Sequence, residues 1–148
     1  MKTSLIELER EGIKLLNEGA FKRASEIFTR IIDEHPGYEH GICFYDLACC
    51  LEEMGDLKSA EKNYLRALEY APDDTIRLGG YASFLYLYGE THQAFEVYQR
   101  LLDLERARGQ ATDAENTILA LKALGKRMGL SDQDITQKTG TVGACFRK

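Results

Sequence analysis

The sequence has few residues that break helices and no long hydrophobic segment. Only two of its 148 residues are proline, and tryptophan is absent. No apolar run approaches the ~18 residues that a membrane-spanning helix needs, and the first residues lack the apolar core of a signal peptide. Because 44% of the residues are hydrophobic and 29% are charged, a disordered chain is excluded. We therefore expect a cytoplasmic, helix-rich domain with no membrane association.

An excess of basic residues is also missing. The formal net charge is −5. Residues 1–74 carry nine Lys or Arg and 16 Asp or Glu, whereas residues 75–148 carry ten and eight. A first half with a formal charge of −7 repels a phosphate backbone, so we expect no nucleic-acid partner. It suits a basic or neutral protein partner, the alternative being that these charges only solvate exposed helix faces.

Metal-binding and catalytic motifs are absent too. The four cysteines form no CxxC pair, and neither HExxH, a P-loop nor GxGxxG occurs. On a helix, Cys43 and Cys50 lie roughly 10 Å apart, too far for a disulfide, and a thiolate site with His35 or His40 lacks metal-ligand spacing. We expect reduced thiols packed as small apolar residues, no metal, no cofactor and no catalytic residue. The cysteines are Cys43, Cys49, Cys50 and Cys145.

An internal repeat accounts for much of the remaining pattern. A glycine recurs at spacings of 36 and 34 residues; alanine follows it by five positions and an aromatic residue by nine. In the first two copies a proline follows the aromatic residue by eight positions. The repeated residues are Gly19, Ala24, Phe28 and Pro36, then Gly55, Ala60, Tyr64 and Pro72, then Gly89, Ala94 and Tyr98.

Each glycine follows a stretch with helical spacing. A large, a small and a large residue stand at i, i+4 and i+7, which forms one helix stripe. The spacing predicts three helical hairpins, in which the glycine ends the first helix with a left-handed cap, the alanines mark close helix crossings and the prolines close the second helix. Asp56 is the predicted N-cap of the second helix in the middle copy. The stripes are Leu8, Gly12 and Leu15, then Phe44, Ala48 and Leu51, then Leu78, Ala82 and Leu85.

This pattern resembles the tetratricopeptide repeat. Repeats at about 5–38, 41–74 and 75–108 imply an all-α fold, an α-solenoid of three helical hairpins. The sequence Thr112 to Glu115 predicts a capping box that opens a terminal capping helix at 112–128. We expect a repeat domain at 1–130 and a tail at 131–148 that is a short helix opened by Ser131 or is flexible.

The resemblance also implies a binding surface, because the first helix of each hairpin lines the concave groove in this family. Residues off the packing stripe then become groove candidates, and their mixture of apolar and acidic types suits an extended or helical protein segment that is apolar with some basic charge. We expect a protein–protein interaction scaffold, an adaptor or a chaperone. The candidates are Glu9, Ile13, Leu16, Ile42, Tyr45, Cys49, Glu52, Ser83 and Tyr86, with Ile6 and Ile76 on the same faces.

A subgroup of the family clamps a partner's C-terminal carboxylate with Lys, Asn and Arg. This chain has Glu9, Ile13, Asp46, Ile76 and Gly80 at the matching positions, so the resemblance disfavours an acidic chaperone tail as the ligand. Two alternatives stay open. Residues 124–142 resemble the first part of a repressor-type helix-turn-helix, which would make the chain a regulatory protein with a vestigial tail. The extra apolar residues would also suit a self-associating homo-oligomer.

Overall fold

Eight α-helices joined by short turns form the computed structural model of this protein, which describes residues 3–140. Those residues contain no β-strand, and the predicted all-α class is confirmed. The helices are α1 (Leu5–Asn17), α2 (Phe21–Glu34), α3 (Ile42–Glu53), α4 (Leu57–Tyr70), α5 (Thr75–Tyr88), α6 (Thr91–Ala107), α7 (Ala111–Arg127) and α8 (Asp132–Thr139), with a 3-10 turn at Tyr38–Gly41 before α3.

Backbone contacts divide the chain into two compact units, Met1–Arg77 and Leu78–Lys148, and the division falls within α5. The predicted boundary between a repeat domain at 1–130 and a tail at 131–148 stays a prediction.

The first unit is built on the predicted stripes. Leu8 and Leu15 are buried with Phe28 between α1 and α2, and Ala24 and Ala60 are fully buried. There is no space for a side chain at Gly12, because a Cβ there would lie 2.8 Å from Cε1 of Phe28. The small residue of the stripe therefore lets α2 approach α1 closely.

In the first unit, the glycines, prolines and Asp56 that were predicted to end or cap helices do so. Gly19 and Gly55 have φ of +78° and +82°, a left-handed conformation that glycine adopts at little cost. The Asp56 carboxylate accepts a hydrogen bond from the Ser59 N–H at 3.3 Å, as predicted for an N-cap. Helices α2 and α4 end at Glu34 and Tyr70, two residues before Pro36 and Pro72.

The predicted left-handed cap at Gly89 is wrong. Its φ is not positive, and its N–H donates to the Leu85 carbonyl at 2.9 Å. The reason is the length of the connection. Two residues, Gly89 and Glu90, separate α5 from α6, whereas three residues separate each earlier pair, so the chain leaves α5 without the reversal that a left-handed residue provides.

In the second unit, α7 begins and ends one residue earlier than predicted. This helix begins at Ala111, one residue before the predicted start, and Gln110 is its N-cap without a side-chain capping bond. The predicted capping box at Thr112 is therefore wrong, because Thr112 already lies inside the first turn. The helix ends at Arg127 rather than at residue 128.

The short helix α8 is present, as one alternative for the tail predicted. Ser131 and Asp134 form a capping box at its start, and Ile135 is buried against Gly125 of α7. A Cβ at Gly125 would lie 2.5 Å from Cγ1 of Ile135. Thr141, Val142 and Cys145, which entered the helix-turn-helix resemblance and the cysteine prediction, lie outside the described residues.

Candidate functional site

One strip of α1 carries exposed apolar residues around a carboxylate. Ile6, Glu9 and Ile13 stand at i, i+3 and i+7, one position from the buried stripe, so they share a helix face. Ile6 is 55% exposed and Ile13 is 40% exposed, while Glu9 is half-buried between them. Burying large aliphatic side chains is favourable, so this strip has apolar area available for a partner.

A matching strip of α3 carries Tyr45, Cys49 and Glu52, all half-buried. The Tyr45 ring lies edge-on to Tyr64 of α4, with 5.8 Å between ring centroids. The Tyr64 hydroxyl donates to Oε1 of Glu52 at 2.7 Å and lies 3.7 Å from the Cys49 sulfur. Burial raises the pKa of Tyr45 and Tyr64 above the ordinary tyrosine value, so both hydroxyls stay protonated. We call the strips of α1 and α3 together the α1–α3 face.

The two carboxylates of the α1–α3 face are held in the same way. The Tyr38 hydroxyl donates to Oε2 of Glu9 at 2.7 Å, as Tyr64 does to Glu52. That bond to the carboxylate raises the pKa of Tyr38 to about 12. A tyrosine hydroxyl thus fixes one oxygen of each carboxylate, and the other oxygen has no hydrogen-bond partner within residues 3–140. Carboxylates oriented in this way are prepared to accept from a cation.

Asp46 adds a third acid beside this face. Burial raises its pKa to about 6, the negative charge of Glu9 adds to the effect, and the positive charge of Arg77 opposes it. From the sequence, Asp46 was noted only as one of the positions where the residues of a carboxylate clamp are replaced, and it was not predicted to belong to the site. Its burial and the nearby charges of Glu9 and Arg77 are features of the tertiary structure, which periodicity alone does not reveal.

The turn that leads into α3 is held in an unusual conformation. Glu39 and His40 have φ of +46° and +56°, which non-glycine residues rarely adopt, and Gly41 follows at +73°. The buried Arg77 fastens this turn: its Nη1 donates to the His40 carbonyl at 2.6 Å and to the Ala67 carbonyl at 2.9 Å.

The Arg77 guanidinium is itself held, because its Nε lies 2.9 Å from the Asp74 carboxylate. No local sequence signal marks this arrangement, since Arg77 lies 37 positions beyond the residue it holds.

Two predicted groove residues have a structural role. Leu16 and Ile42 are partly buried and pack against the core of the first unit, so they offer less area to a partner than Ile6 and Ile13. By contrast, Ile76 at the start of α5 is 65% exposed and offers more area to a partner.

In the second unit, Ser83 is exposed and Tyr86 is half-buried. The Tyr86 ring is edge-on to Tyr98 at 6.4 Å, and the Arg127 guanidinium lies 4.3 Å from its centroid. One face of Tyr86 is therefore already covered by a cation. Its role as a partner anchor, with that of Ser83, stays a prediction.

The thiols of the first unit are poor metal ligands and nucleophiles. Burial raises the pKa of Cys43 and of Cys50 to about 12 and also raises that of Cys49. All three are free. Within residues 3–140 no three His, Cys, Asp or Glu side chains are grouped to hold a metal ion, and none of the helices there has the length and apolarity to cross a membrane.

Comparison with known proteins matches residues 42–74 to the tetratricopeptide repeat model. A chain from the crystal structure of a T3SS complex of Aeromonas hydrophila is 20% identical, with a TM-score of 0.76 over 86% of this chain and 84% of that one. The TPR2B domain of yeast Sti1, in its complex with pHsp70, is 15% identical, with a TM-score of 0.74 over 83% of this chain and 97% of that one. None of the curated proteins matches. These likenesses confirm the predicted α-solenoid of helical hairpins.

Proposed function

We propose that this chain uses its tetratricopeptide-repeat fold as a protein-interaction scaffold and that its α1–α3 face binds a segment of another protein. The segment combines apolar side chains with Lys or Arg. Ile6, Ile13 and Tyr45 contact the apolar side chains, and Glu9 and Glu52 accept from the basic ones. Extended and helical segments both suit such a surface.

The observation that supports this proposal is the pairing of exposed apolar residues with two oriented carboxylates. A surface that served only to keep the protein soluble would not need hydroxyls of Tyr38 and Tyr64 to fix Glu9 and Glu52. Fixing a side chain before the ligand arrives lowers the entropy that binding costs, and oriented carboxylates choose donors by geometry as well as charge.

The sign of the charge argues for a basic ligand. Glu9 and Asp46 stand at two of the five positions that the resemblance matches to the Lys, Asn and Arg of a carboxylate clamp, so a carboxylate would meet like charge here. Burial is the main cause of the raised pKa of Asp46, and the repulsion between Glu9 and Asp46 adds to it. A cation placed between these acids would relieve that repulsion, which favours a Lys or Arg side chain at this point of the face.

Selection from a library of random peptides displayed on phage tests the proposal with no assumption about the identity of the partner. We expect the immobilised full chain to enrich peptides that combine apolar residues with Lys or Arg. The same selection on the Ile13→Asp variant should lose this enrichment, because a charge then replaces apolar area at the centre of the strip. The matched control is Leu119→Asp, which alters an exposed apolar residue of α7 in the second unit.

Enrichment of acidic peptides, or equal enrichment on Ile13→Asp, would refute the proposed face. Peptides that survive Tyr45→Ala but not Tyr86→Ala would move the binding surface to the second unit. An apolar consensus without basic residues would leave Glu9 and Glu52 without a role.

A further inference from the structure

The turn before α3 is strained, and its strained residues gain no burial in return. Glu39 and His40 have φ of +46° and +56°, a left-handed conformation that non-glycine residues adopt only at a cost in free energy. Both side chains are exposed. Strain of this kind persists only where the surrounding structure determines it, and it clusters at functional sites. The benefit of the conformation therefore lies in the contacts that the rest of the turn makes.

The residue that the turn positions is Tyr38. It is the first residue of the turn, and its N–H donates to the His35 carbonyl at 3.0 Å. Its hydroxyl donates to Oε2 of Glu9 at 2.7 Å, 29 positions away in the chain. A tyrosine side chain has only two rotatable bonds, so its hydroxyl meets Glu9 only while the turn holds the Tyr38 backbone in place. A displaced turn would release the Glu9 carboxylate.

Arg77 ties the other end of the turn to the first unit. This side chain is 4% exposed, and its Nη1 donates to the His40 carbonyl at 2.6 Å and to the Ala67 carbonyl at 2.9 Å. Its Nε lies 2.9 Å from the Asp74 carboxylate, so three contacts fix the guanidinium. Ala67 is fully buried in α4. The strained turn is thus fastened to a part of α4 that cannot move without opening the core.

A second restraint acts on the turn and supplies the competing explanation. The Tyr70 ring lies so close to Gly41 that a Cβ there would be 2.5 Å from Cδ2 of the ring. Ring carbons satisfy no carbonyl, however. Without Arg77 the His40 carbonyl would lose its hydrogen bond at a partly buried position, which would favour a different conformation of the turn.

We propose that Arg77 is a positioning residue of the α1–α3 face, which holds the Glu39–His40 turn so that Tyr38 keeps Glu9 oriented for a basic ligand. This inference rests on the proposed function, because the basic ligand is the one proposed above. Arg77 acts through the turn and does not contact the ligand. A lysine would not replace it, since one ammonium nitrogen cannot occupy the places of both Nη1 and Nε.

Nuclear magnetic resonance of the free full chain, labelled with ¹³C at the glutamate carboxyls, tests the positioning without a ligand. Tyr38→Phe removes the hydrogen bond to Glu9 and so defines the carboxyl signal of the released side chain. We expect Arg77→Lys to move the Glu9 signal toward that value. The matched control is Arg106→Lys in the second unit, where Nη1 of Arg106 also donates to a distant carbonyl, that of Thr139 at 2.9 Å. It should leave the Glu9 signal unchanged.

Asp74→Asn is a milder second variant, should Arg77→Lys not fold. Asn keeps an oxygen that can accept from the Ile76 N–H, as Asp74 does at 3.0 Å, and loses the charge that pairs with Nε of Arg77. It should move the Glu9 signal in the same direction by a smaller amount. A Glu9 signal at the wild-type position in the folded variants would overturn the proposal, because the aromatic packing of the turn would then be sufficient to hold it.

The Kd of a peptide separates this role from the proposed function. The probe is a Lys- or Arg-containing peptide enriched on the wild-type chain, measured by calorimetry. Tyr38→Phe and Arg77→Lys should each weaken its binding about 5-fold, and the double variant should bind no more weakly than Tyr38→Phe, because both changes act on one hydrogen bond. Losses that multiply in the double variant would overturn the proposal. A moved Glu9 signal with an unchanged Kd would support the positioning of Glu9 and refute the proposed function at this carboxylate.

Discussion

At the scale of single residues, Asp46 is a carboxyl group whose pKa the fold raises by burial. Its pKa rises from 3.8 to about 6, so the folded protein binds the proton more tightly than the unfolded chain. The contribution of this residue to the free energy of unfolding therefore increases as the pH falls from about 7 to about 4. The groups that face it are Glu9 from α1, which adds to the shift, and Arg77 from α5, which opposes it.

We predict that Asp46→Asn stabilises the protein near neutral pH by about 1–2 kcal/mol, a figure reduced from the full shift because the side chain is partly solvated. The variant should also lose the part of the pH dependence that lies between about pH 4 and pH 7. Urea unfolding at several pH values measures both. Glu53→Gln, at an exposed position of α3, should keep the wild-type pH dependence. An equal slope in Asp46→Asn would contradict the burial of this carboxylate.

Gly41 is required by both its backbone and its neighbour. Its φ is +73°, and a Cβ there would lie 2.5 Å from Cδ2 of Tyr70. We predict that Gly41→Ala lowers the free energy of unfolding by about 1–3 kcal/mol. Gly37→Ala is the control, because the φ of Gly37 is −84° and a Cβ there would lie 3.7 Å from the nearest side-chain atoms. Chemical denaturation of both variants decides the matter, and equal stabilities would show that the turn before α3 can rearrange freely.

At the scale of the helices, packing at the crossings should dominate stability. Ala60 is fully buried in α4, and α4 packs on α3. We predict that Ala60→Leu lowers the free energy of unfolding by about 1–3 kcal/mol, because three more carbons have no space. Lys58→Leu, at an exposed position of the same helix, is the control. If thermal unfolding of Ala60→Leu matches the wild type, the assigned register of the middle repeat is wrong.

The start of α8 offers a test of helix capping. Ser131 accepts from the Asp134 N–H at 3.1 Å, and the Asp134 carboxylate accepts from the Ser131 N–H at the same distance. We predict that Ser131→Ala costs about 1 kcal/mol and speeds hydrogen exchange in α8. Thr112→Ala should have little effect, since Thr112 lies inside α7 and caps nothing. The reverse order of effects would restore the capping box that the sequence predicts at Thr112.

Periodicity and punctuation predicted most of this architecture, because the signals are local. The stripes of α1, α3 and α5, the left-handed Gly19 and Gly55 and the start of a short helix at Ser131 each depend on a few adjacent residues. Local signals fail where two structures share one pattern. A capping box and the inside of a first turn look alike at Thr112, and a glycine in a two-residue turn looks like Gly19.

The candidate site was only partly predictable for a related reason. Helical spacing finds the strip of Ile6, Glu9 and Ile13, since it needs only the period of α1. The long-range hydrogen bonds that fix the site do not follow from spacing: Tyr38 donates to the Glu9 carboxylate across 29 positions, and Arg77 donates to the His40 carbonyl across 37. Such contacts arise from the packing of whole helices, which a single sequence does not display.

At the scale of the whole molecule, the excess negative charge lies in the same half of the chain as the proposed binding face. Residues 1–74 carry a formal charge of −7, and Glu9 and Glu52 of the α1–α3 face belong to that half. An acidic surface speeds the approach of a basic partner, and the effect weakens with salt. General attraction by the net charge must therefore be separated from recognition by the two oriented carboxylates.

The measurement that tests the central claim most directly is the Kd of a selected basic peptide, by calorimetry, for two charge-matched double variants. Glu9→Gln with Glu52→Gln removes the oriented carboxylates, whereas Glu18→Gln with Glu53→Gln removes two exposed ones at the ends of α1 and α3. Both pairs change the net charge equally. We predict a Kd about 10-fold weaker for the first pair and nearly unchanged for the second. Equal losses would reduce the effect to net charge, and no loss in the first pair would contradict binding at the α1–α3 face.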